Sequence, residues 1–390
     1  MQEKRKKLFS SSPHRILIAP DSFKGSLSAR EAADAICEGL RQAFPDCVPE
    51  HIAVSDGGEG FTDAILSARG GIRVTVQVSD PQGRPVEAAY GLCGSTAVIE
   101  TAAASGLPLL RPEERNPLLT TSFGTGELIR DALDRGCRDL LVGLGGSATH
   151  DAGTGMLSAL GFRFLDASGR VLRGCGASLA KIAALDRSRA HPALAEASFT
   201  VACDVQTVFC GPQGAAATFA PQKGATPAMV RELEAGSCHF ADLVLQQTGH
   251  DLREEKGTGA AGGLGGAFTA LLGAQLASGI DLVLDEADFD ARLAGADLVI
   301  TGEGCIDAQS AQGKVLSGIL RHAQSAGVPV IAIGGRIAPG LSPDALPFAR
   351  CFALSDETVP DRLAMQPDYT RARIIGTVGK LLPAAWPLIG

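Results

Sequence analysis

Several short apolar runs, each long enough for one buried strand, end in a turn that carries a carboxylate. Ile16-Leu17-Ile18-Ala19-Pro20 meets Asp21, and Ile52-Ala53-Val54-Ser55 meets Asp56-Gly57-Gly58-Glu59-Gly60. Leu140 to Leu144 leads through Gly145-Gly146-Ser147 to Asp151. Val201-Ala202-Cys203 meets Asp204, and Leu298 to Thr301 enters Gly302-Glu303-Gly304-Cys305-Ile306-Asp307. Ligands of open parallel α/β sheets collect beyond the carboxyl ends of the strands, so these turns are candidate walls of one site. Their glycines and carboxylates read as a phosphate and metal site.

Each motif also has a plainer reading. Ala19-Pro20-Asp21-Ser22-Phe23-Lys24 sits between a strand and a capped helix, where amides and hydroxyls can face an anion and Lys24 can neutralise a phosphate or carboxylate. Taken alone it is an ordinary solvated turn. Gly143 to Asp151 lacks the Gly-Lys-Ser/Thr end of a Walker A loop, yet its glycines let backbone N–H groups approach oxyanions, as in a nest. A tight structural turn is the alternative, and His150 reads as polar packing because no second histidine stands at a ligand spacing. Gly302 to Asp307, followed by Gly313-Lys314, supplies two carboxylates and a lysine after a strong strand candidate. Such a set can hold Mg²⁺ and polarise a phosphoryl group, or simply form a surface loop. Pro221-Gln222-Lys223-Gly224 offers another lysine in a turn. Gly257, Gly259 and Gly262 match Gly-x-Gly-x-x-Gly, but Arg253-Glu254-Glu255-Lys256 before them cannot be a buried strand, so the strand context of a dinucleotide site fails, a nicotinamide enzyme is demoted and a helix start is expected.

The elements that must position these turns alternate between strands and helices. Ser28-Ala29-Arg30-Glu31 has the form of a capping box, and Ala32, Ala33, Ile36 and Leu40 recur at helical spacing. A second strand and helix run from Ile52 to Ala68, which together open a doubly wound sheet. From Arg73 to Val78 the pattern changes to alternation, and a Pro81-Gln82-Gly83 turn leads into a further strand, the mark of antiparallel pairing. Strand and helix alternation returns from Gly295, with a helix near Lys314 to Ser325 and a strand over Val328 to Ile333. We therefore expect an α/β domain built from residues 13–71 and 290–390, an inserted mixed-sheet α/β domain over 72–289, and a frayed basic tail over 1–12.

Composition sets the outer limits. A chain of 390 residues exceeds what one core usually fills, and 45% apolar with 5% aromatic residues demands an aliphatic interior. A net charge of −8 argues against a nucleic-acid partner. The ten cysteines show no Cys-x-x-Cys pair, which suits reduced thiols in a cytoplasm. No apolar run reaches the roughly 18 residues of a membrane span, so no membrane partner is expected.

In combination the motifs become specific, and the sequence resembles the type I glycerate kinase family. The resemblance rests on the Ala19–Lys24 and Asp56–Gly60 blocks, Ile99-Glu100 with Ala102 to Leu107, and Thr121-Ser122-Phe123-Gly124-Thr125-Gly126-Glu127. It continues through Gly145-Gly146-Ser147-Ala148-Thr149, Gly211-Pro212, Pro221 to Ala225, Gly259 to Gly263 and Gly302-Glu303-Gly304, in order over nearly the whole chain from Arg15. It implies ATP-dependent phosphorylation of D-glycerate at the 2-hydroxyl with Mg²⁺. It also implies a flavodoxin-like domain from both termini, and an active site in the cleft between two α/β domains. A homodimer is an allowed assembly.

On this reading Asp21, Lys24, Asp56, Asp151 and Asp204 are the candidates for catalysis. Ser22, Gly57, Gly58, Glu59, Gly145, Gly146, Ser147, Thr149, Lys223 and Lys314 are those for substrate or phosphate, and Glu303 and Asp307 those for metal. Cys305 stands where the family usually has Arg, His150 where Asn is usual, and Gln206 to Phe209 where Thr-Asn-Pro-Leu is common. A thiol cannot replace the bidentate grip of an arginine. Two alternatives follow: a catalytically impaired binding protein for glycerate or a sugar acid, and a kinase forming 3-phosphoglycerate.

Overall fold

The computed structural model describes residues 13–307, 315–342 and 346–388; Lys314 and the basic start of the chain lie outside them. The chain divides into two compact units, one that ends at Ser55 and resumes at Val283, the other continuous from Asp56 to Leu282.

The first unit opens with β1 (Arg15–Ile18) and β2 (Val48–His51). Between them the helix Ala29–Ala43 starts on Ser28, whose hydroxyl accepts from the Glu31 amide while the Glu31 carboxylate accepts from the Ser28 amide at 2.8 Å. This is the capping box expected from the sequence, and it satisfies two amides that the helix cannot. The second strand was expected at Ile52–Ser55 and forms earlier. Val48-Pro49-Glu50-His51 pairs with β1 as an edge strand whose half-exposed residues give no apolar signal, while Ile52 and Val54 are buried just beyond it.

The second unit contributes β3 (Ile72–Ser79), β4 (Pro85–Cys93), β5 (Thr96–Glu100), β6 (Asp139–Gly143), β7 (Arg163–Leu165), β8 (Ala184–Asp186), β9 (Ser198–Ala202) and β10 (Gln275–Ala277). Six of these form a sheet in the order β10-β9-β6-β5-β4-β3, and β7 pairs with β8 separately. The pairs from β5 to β10 are parallel, whereas β4 runs antiparallel to both neighbours. The β3–β4 hairpin turns on Asp80, which accepts from the amides of Gln82 and Arg84 at 2.8 and 2.9 Å. The helix Phe61–Arg69 lies on this sheet, with the Thr62 amide donating to Glu100 at 2.8 Å and its hydroxyl to the Val98 carbonyl. Helical periodicity does not say which sheet covers a helix. Asp56 and Phe61–Arg69 therefore belong here, although the change of pattern at residue 72 assigns them to the first unit.

The chain returns to the first unit with β11 (Leu298–Ile306), β12 (Val330–Ile337) and β13 (Arg350–Ala353). All five strands of this sheet are parallel in the order β13-β12-β11-β1-β2. Counted within the unit the order is 2-1-3-4-5, that of flavodoxin-like sheets. Ile16, Leu17, Ile18, Leu298, Val299 and Ile300 are all fully buried, as strands covered on both faces must be. Among the described residues no helix is long and apolar enough to cross a membrane.

Candidate active site

Because β5, β6, β9 and β10 are parallel, their carboxyl ends lie at one edge of the sheet, and the turns that leave them converge there. The Asp56–Gly58 turn packs backbone to backbone on the turn after β6. The Gly145 amide donates to the Gly57 carbonyl at 3.3 Å, and a Cβ on Gly145 would stand 2.4 Å from the Gly58 Cα. Gly57 has φ +87°, a left-handed conformation that favours glycine. These turns enclose a cavity of about 190 Å³ whose walls include Asp56, Gly58, Gly145, Gly146, Ser147, Asp204 and Lys223. Seven residues singled out in the sequence thus meet at one place.

Lys223 is 2% exposed, and its ammonium donates to Ser147 Oγ at 2.8 Å and to the Thr149 carbonyl at 2.6 Å. Burial pulls its pKa down to about 7, against the favourable charge of Asp151. Beyond the carboxyl end of β9, Asp204 Oδ1 accepts from the Gly279 amide at 3.0 Å, and Oδ2 is buried with no hydrogen-bond partner among the described residues. Burial pushes this carboxyl up to about 6. The Ser278 hydroxyl and the Gly279 amide oppose that shift, and the charges of Asp56 and Asp281 add to it. A carboxyl and an ammonium with values this close to neutrality are candidates for proton acceptance and for charge stabilisation in a reaction.

Asp151 and His150 have different work. Asp151 is fully buried and accepts from the Ser122 amide and hydroxyl, both at 2.8 Å, and from the amides of Gly153 and Gly155 at 3.1 and 3.2 Å. It ties the loop to the next helix and does not line the cavity. Burial raises its pKa despite these bonds. His150 Nε2 lies 3.1 Å from Ser237 Oγ, and burial first, then the charge of Lys223, lowers its pKa to about 3. It is neutral polar packing. Thr149 is buried behind Lys223, and Glu59 is exposed on its turn.

In the first unit, β1 and β11 are neighbours at the point where the strand order reverses, the place where such sheets bind ligands. The Asp21 amide donates to the Gly302 carbonyl at 2.8 Å, and Asp21 Oδ1 accepts from the Ser22 amide at 2.6 Å. A Cβ on Gly304 would stand 3.3 Å from the Lys24 amide nitrogen, so the segment carrying Glu303 runs against the one carrying Lys24. Lys24 is exposed, and Glu303 and Asp307 are half-buried. Among the described residues neither carboxylate belongs to a cluster of three metal-ligating side chains.

A family model described as the glycerate kinase family matches residues 16–374. The chain belongs to the glycerate kinase family. It is 48% identical over 323 residues to a glycerate kinase of Haemophilus influenzae, covering 82% of this chain and 85% of that protein. It is 45% identical over 325 residues to the glycerate 2-kinase of Escherichia coli, covering 83% and 85%. A crystal structure from Salmonella typhimurium LT2, carrying the provisional name glycerate kinase 2, superposes with a TM-score of 0.81 at 42% identity, covering 96% of this chain and 98% of that one. The protein is an enzyme of this kinase family with its α/β fold. Within the family frame, Gln222 and the helix start at Ala260-Ala261 also line the cavity. Gln222 was not among the expected site residues, because a glutamine in a Pro-Gly turn looks like any solvated side chain. Ala261, Gly262 and Gly263 all take positive φ at that helix start, which brings its backbone beside Thr149 and Ala152.

Proposed function

We propose that the chain transfers the γ-phosphoryl group of ATP to the 2-hydroxyl of D-glycerate, giving 2-phosphoglycerate and ADP, with Mg²⁺. The observation that carries this reading is the pairing, around one small cavity, of Asp204, whose buried Oδ2 has no donor among the described residues, with the buried ammonium of Lys223. The likeness to an E. coli glycerate 2-kinase supports the choice of hydroxyl.

In this mechanism the glycerate hydroxyl gives its proton to the Asp204 carboxylate as its oxygen attacks the γ-phosphorus, and the bond to the bridging oxygen of ADP breaks. Lys223 and the amides of Gly146 and Ser147 hold phosphoryl oxygens, while the Gly145 amide, bonded to the Gly57 carbonyl, fixes the turn with Gly57 and Gly58 behind it. Asp56 lines the cavity with Asp204, and one or two carboxylates together with substrate phosphates are what a hard divalent cation of the magnesium type takes. Asp56 would hold Mg²⁺, which when bound neutralises charge on the transferring group. We assign Asp21, Ser22 and Lys24, with Glu303 and Asp307, to charged groups of the ligands in the crevice of the first unit. Positioning and charge supply most of the rate, since phosphoryl transfer leaves little covalent work to a protein.

Phosphorus NMR of the product formed from ATP, Mg²⁺ and D-glycerate tests the reading. A 2-phosphoglycerate signal is expected. A 3-phosphoglycerate signal overturns the choice of hydroxyl, and no phosphorylated product overturns the reaction.

A further inference from the structure

Outside the lining of that cavity, the second unit brings two thiols and a carboxylate together. The ligand atoms of Cys210, Glu234 and Cys238 all lie within 4.8 Å of one another. Glu234 and Cys238 stand one turn apart on the helix Pro227–Thr248, and Cys210 approaches from the loop after β9. Glu234 Oε1 accepts from the Gly211 amide at 2.5 Å and from Cys238 Sγ at 3.4 Å. Its other oxygen, Oε2, is buried and has no hydrogen-bond partner among the described residues. A buried carboxylate oxygen without a donor is costly, and the side chains gathered at this carboxylate are two thiols, which are weak donors.

We propose that Cys210 Sγ, Cys238 Sγ and Glu234 Oε2 form a site for a thiophilic divalent cation of the zinc type, with water in a fourth position. Two sulfurs and one oxygen are a donor set that zinc accepts and that magnesium does not. The Gly211 amide on Oε1 leaves Oε2 as the coordinating atom and fixes the carboxylate plane, the usual outer support of a metal ligand. On binding, each thiol passes its proton to the buffer as a sulfur–metal bond forms, with no change of oxidation state. The loop that leaves Cys210 continues through the helix Ala215–Phe219 to Lys223, so the ion would fasten this loop to the long helix.

The test uses the full-length reduced protein and Co²⁺ as the probe. One equivalent of Co²⁺ should produce a thiolate-to-cobalt charge-transfer band and the strong visible bands of a tetrahedral site, and zinc should displace it. Titration calorimetry in two buffers should show proton release on binding. Cys238→Ser and Cys210→Ser should each abolish the charge-transfer band, and Glu234→Gln should weaken binding about tenfold or more. Circular dichroism establishes that each variant is folded; where Cys210→Ser is not, the partly exposed Cys238 and Glu234 carry the test. Absence of the band in the parent protein overturns the proposal, as does a band that survives Cys238→Ser, since the remaining cysteines would then be its source.

Discussion

The ammonium of Lys223 lies 2.8 Å from Ser147 Oγ, joining a turn after one helix to the glycine turn after β6. The side chain is buried, and its bonds to Ser147 and to the Thr149 carbonyl hold its charge in the wall of the cavity.

Lys223→Met should lower kcat/KM by about 10²- to 10³-fold, the cost of removing one preorganised group that stabilises charge in a transition state. The fold lowers the pKa of this lysine, which means that burial penalises the ammonium, so the melting temperature should hold or rise. Steady-state kinetics beside a thermal melt check both; a kcat/KM within a few-fold of the parent would sink the assigned role.

The pH profile follows from two groups. Asp204 works as a carboxylate, which it becomes above about 6, and Lys223 works as an ammonium, which it keeps below about 7. A bell in kcat/KM centred between those values is expected, and bound phosphate should move the upper limb of kcat to higher pH. Asp204→Asn should remove the acid limb and lower kcat by about 10²- to 10⁴-fold. The stability contribution of Asp204 has the matching sign: its raised pKa makes it fully stabilising only below 3.8, and that contribution is lost as pH rises through about 6.

Asp151→Asn should act on the fold. An amide has one acceptor oxygen where the carboxylate uses two, so at least one buried donor is left facing an N–H. A loss of about 2 kcal/mol is expected from urea unfolding, with kcat of the folded fraction little changed. A large fall in kcat at unchanged stability would return Asp151 to the catalytic set.

Gly145→Ala should lower both stability and activity, since the added methyl meets the Gly58 Cα at 2.4 Å and neither backbone can yield without opening the cavity. By contrast, Gly376→Ala, at a glycine with nothing within 4 Å and helical backbone angles, should leave activity unchanged. Parallel melts and assays of the two variants separate local crowding from a general effect of the substitution.

The sequence showed the buried strands plainly, because Ile16 to Ile18, Leu140 to Val142 and Leu298 to Ile300 are continuous apolar runs of the kind two covered faces require. β2 was displaced because an edge strand carrying Pro49 and Glu50 has no such run. The acidic turns were legible as strand ends, and Asp56, Asp204, Ser147 and Lys223 do meet. What spacing could not convey is burial. Asp151 and Asp204 both follow apolar strands, yet one spends its oxygens on backbone amides while the other keeps one without a donor. Glu234 and the cysteines beside it escaped notice because their proximity depends on a loop meeting a helix.

β1 pairs Ile16 with Leu298 and Ile18 with Ile300. During synthesis, then, the first strand leaves the ribosome long before its central neighbour exists, a wait of roughly 15 to 60 s at about 5–20 residues per second. The continuous second unit can complete its own sheet in that interval, while β1 remains an apolar strand without its central partner. Chaperone demand and aggregation during expression should therefore centre on the first 55 residues, and truncation before β11 should leave them without a sheet to join.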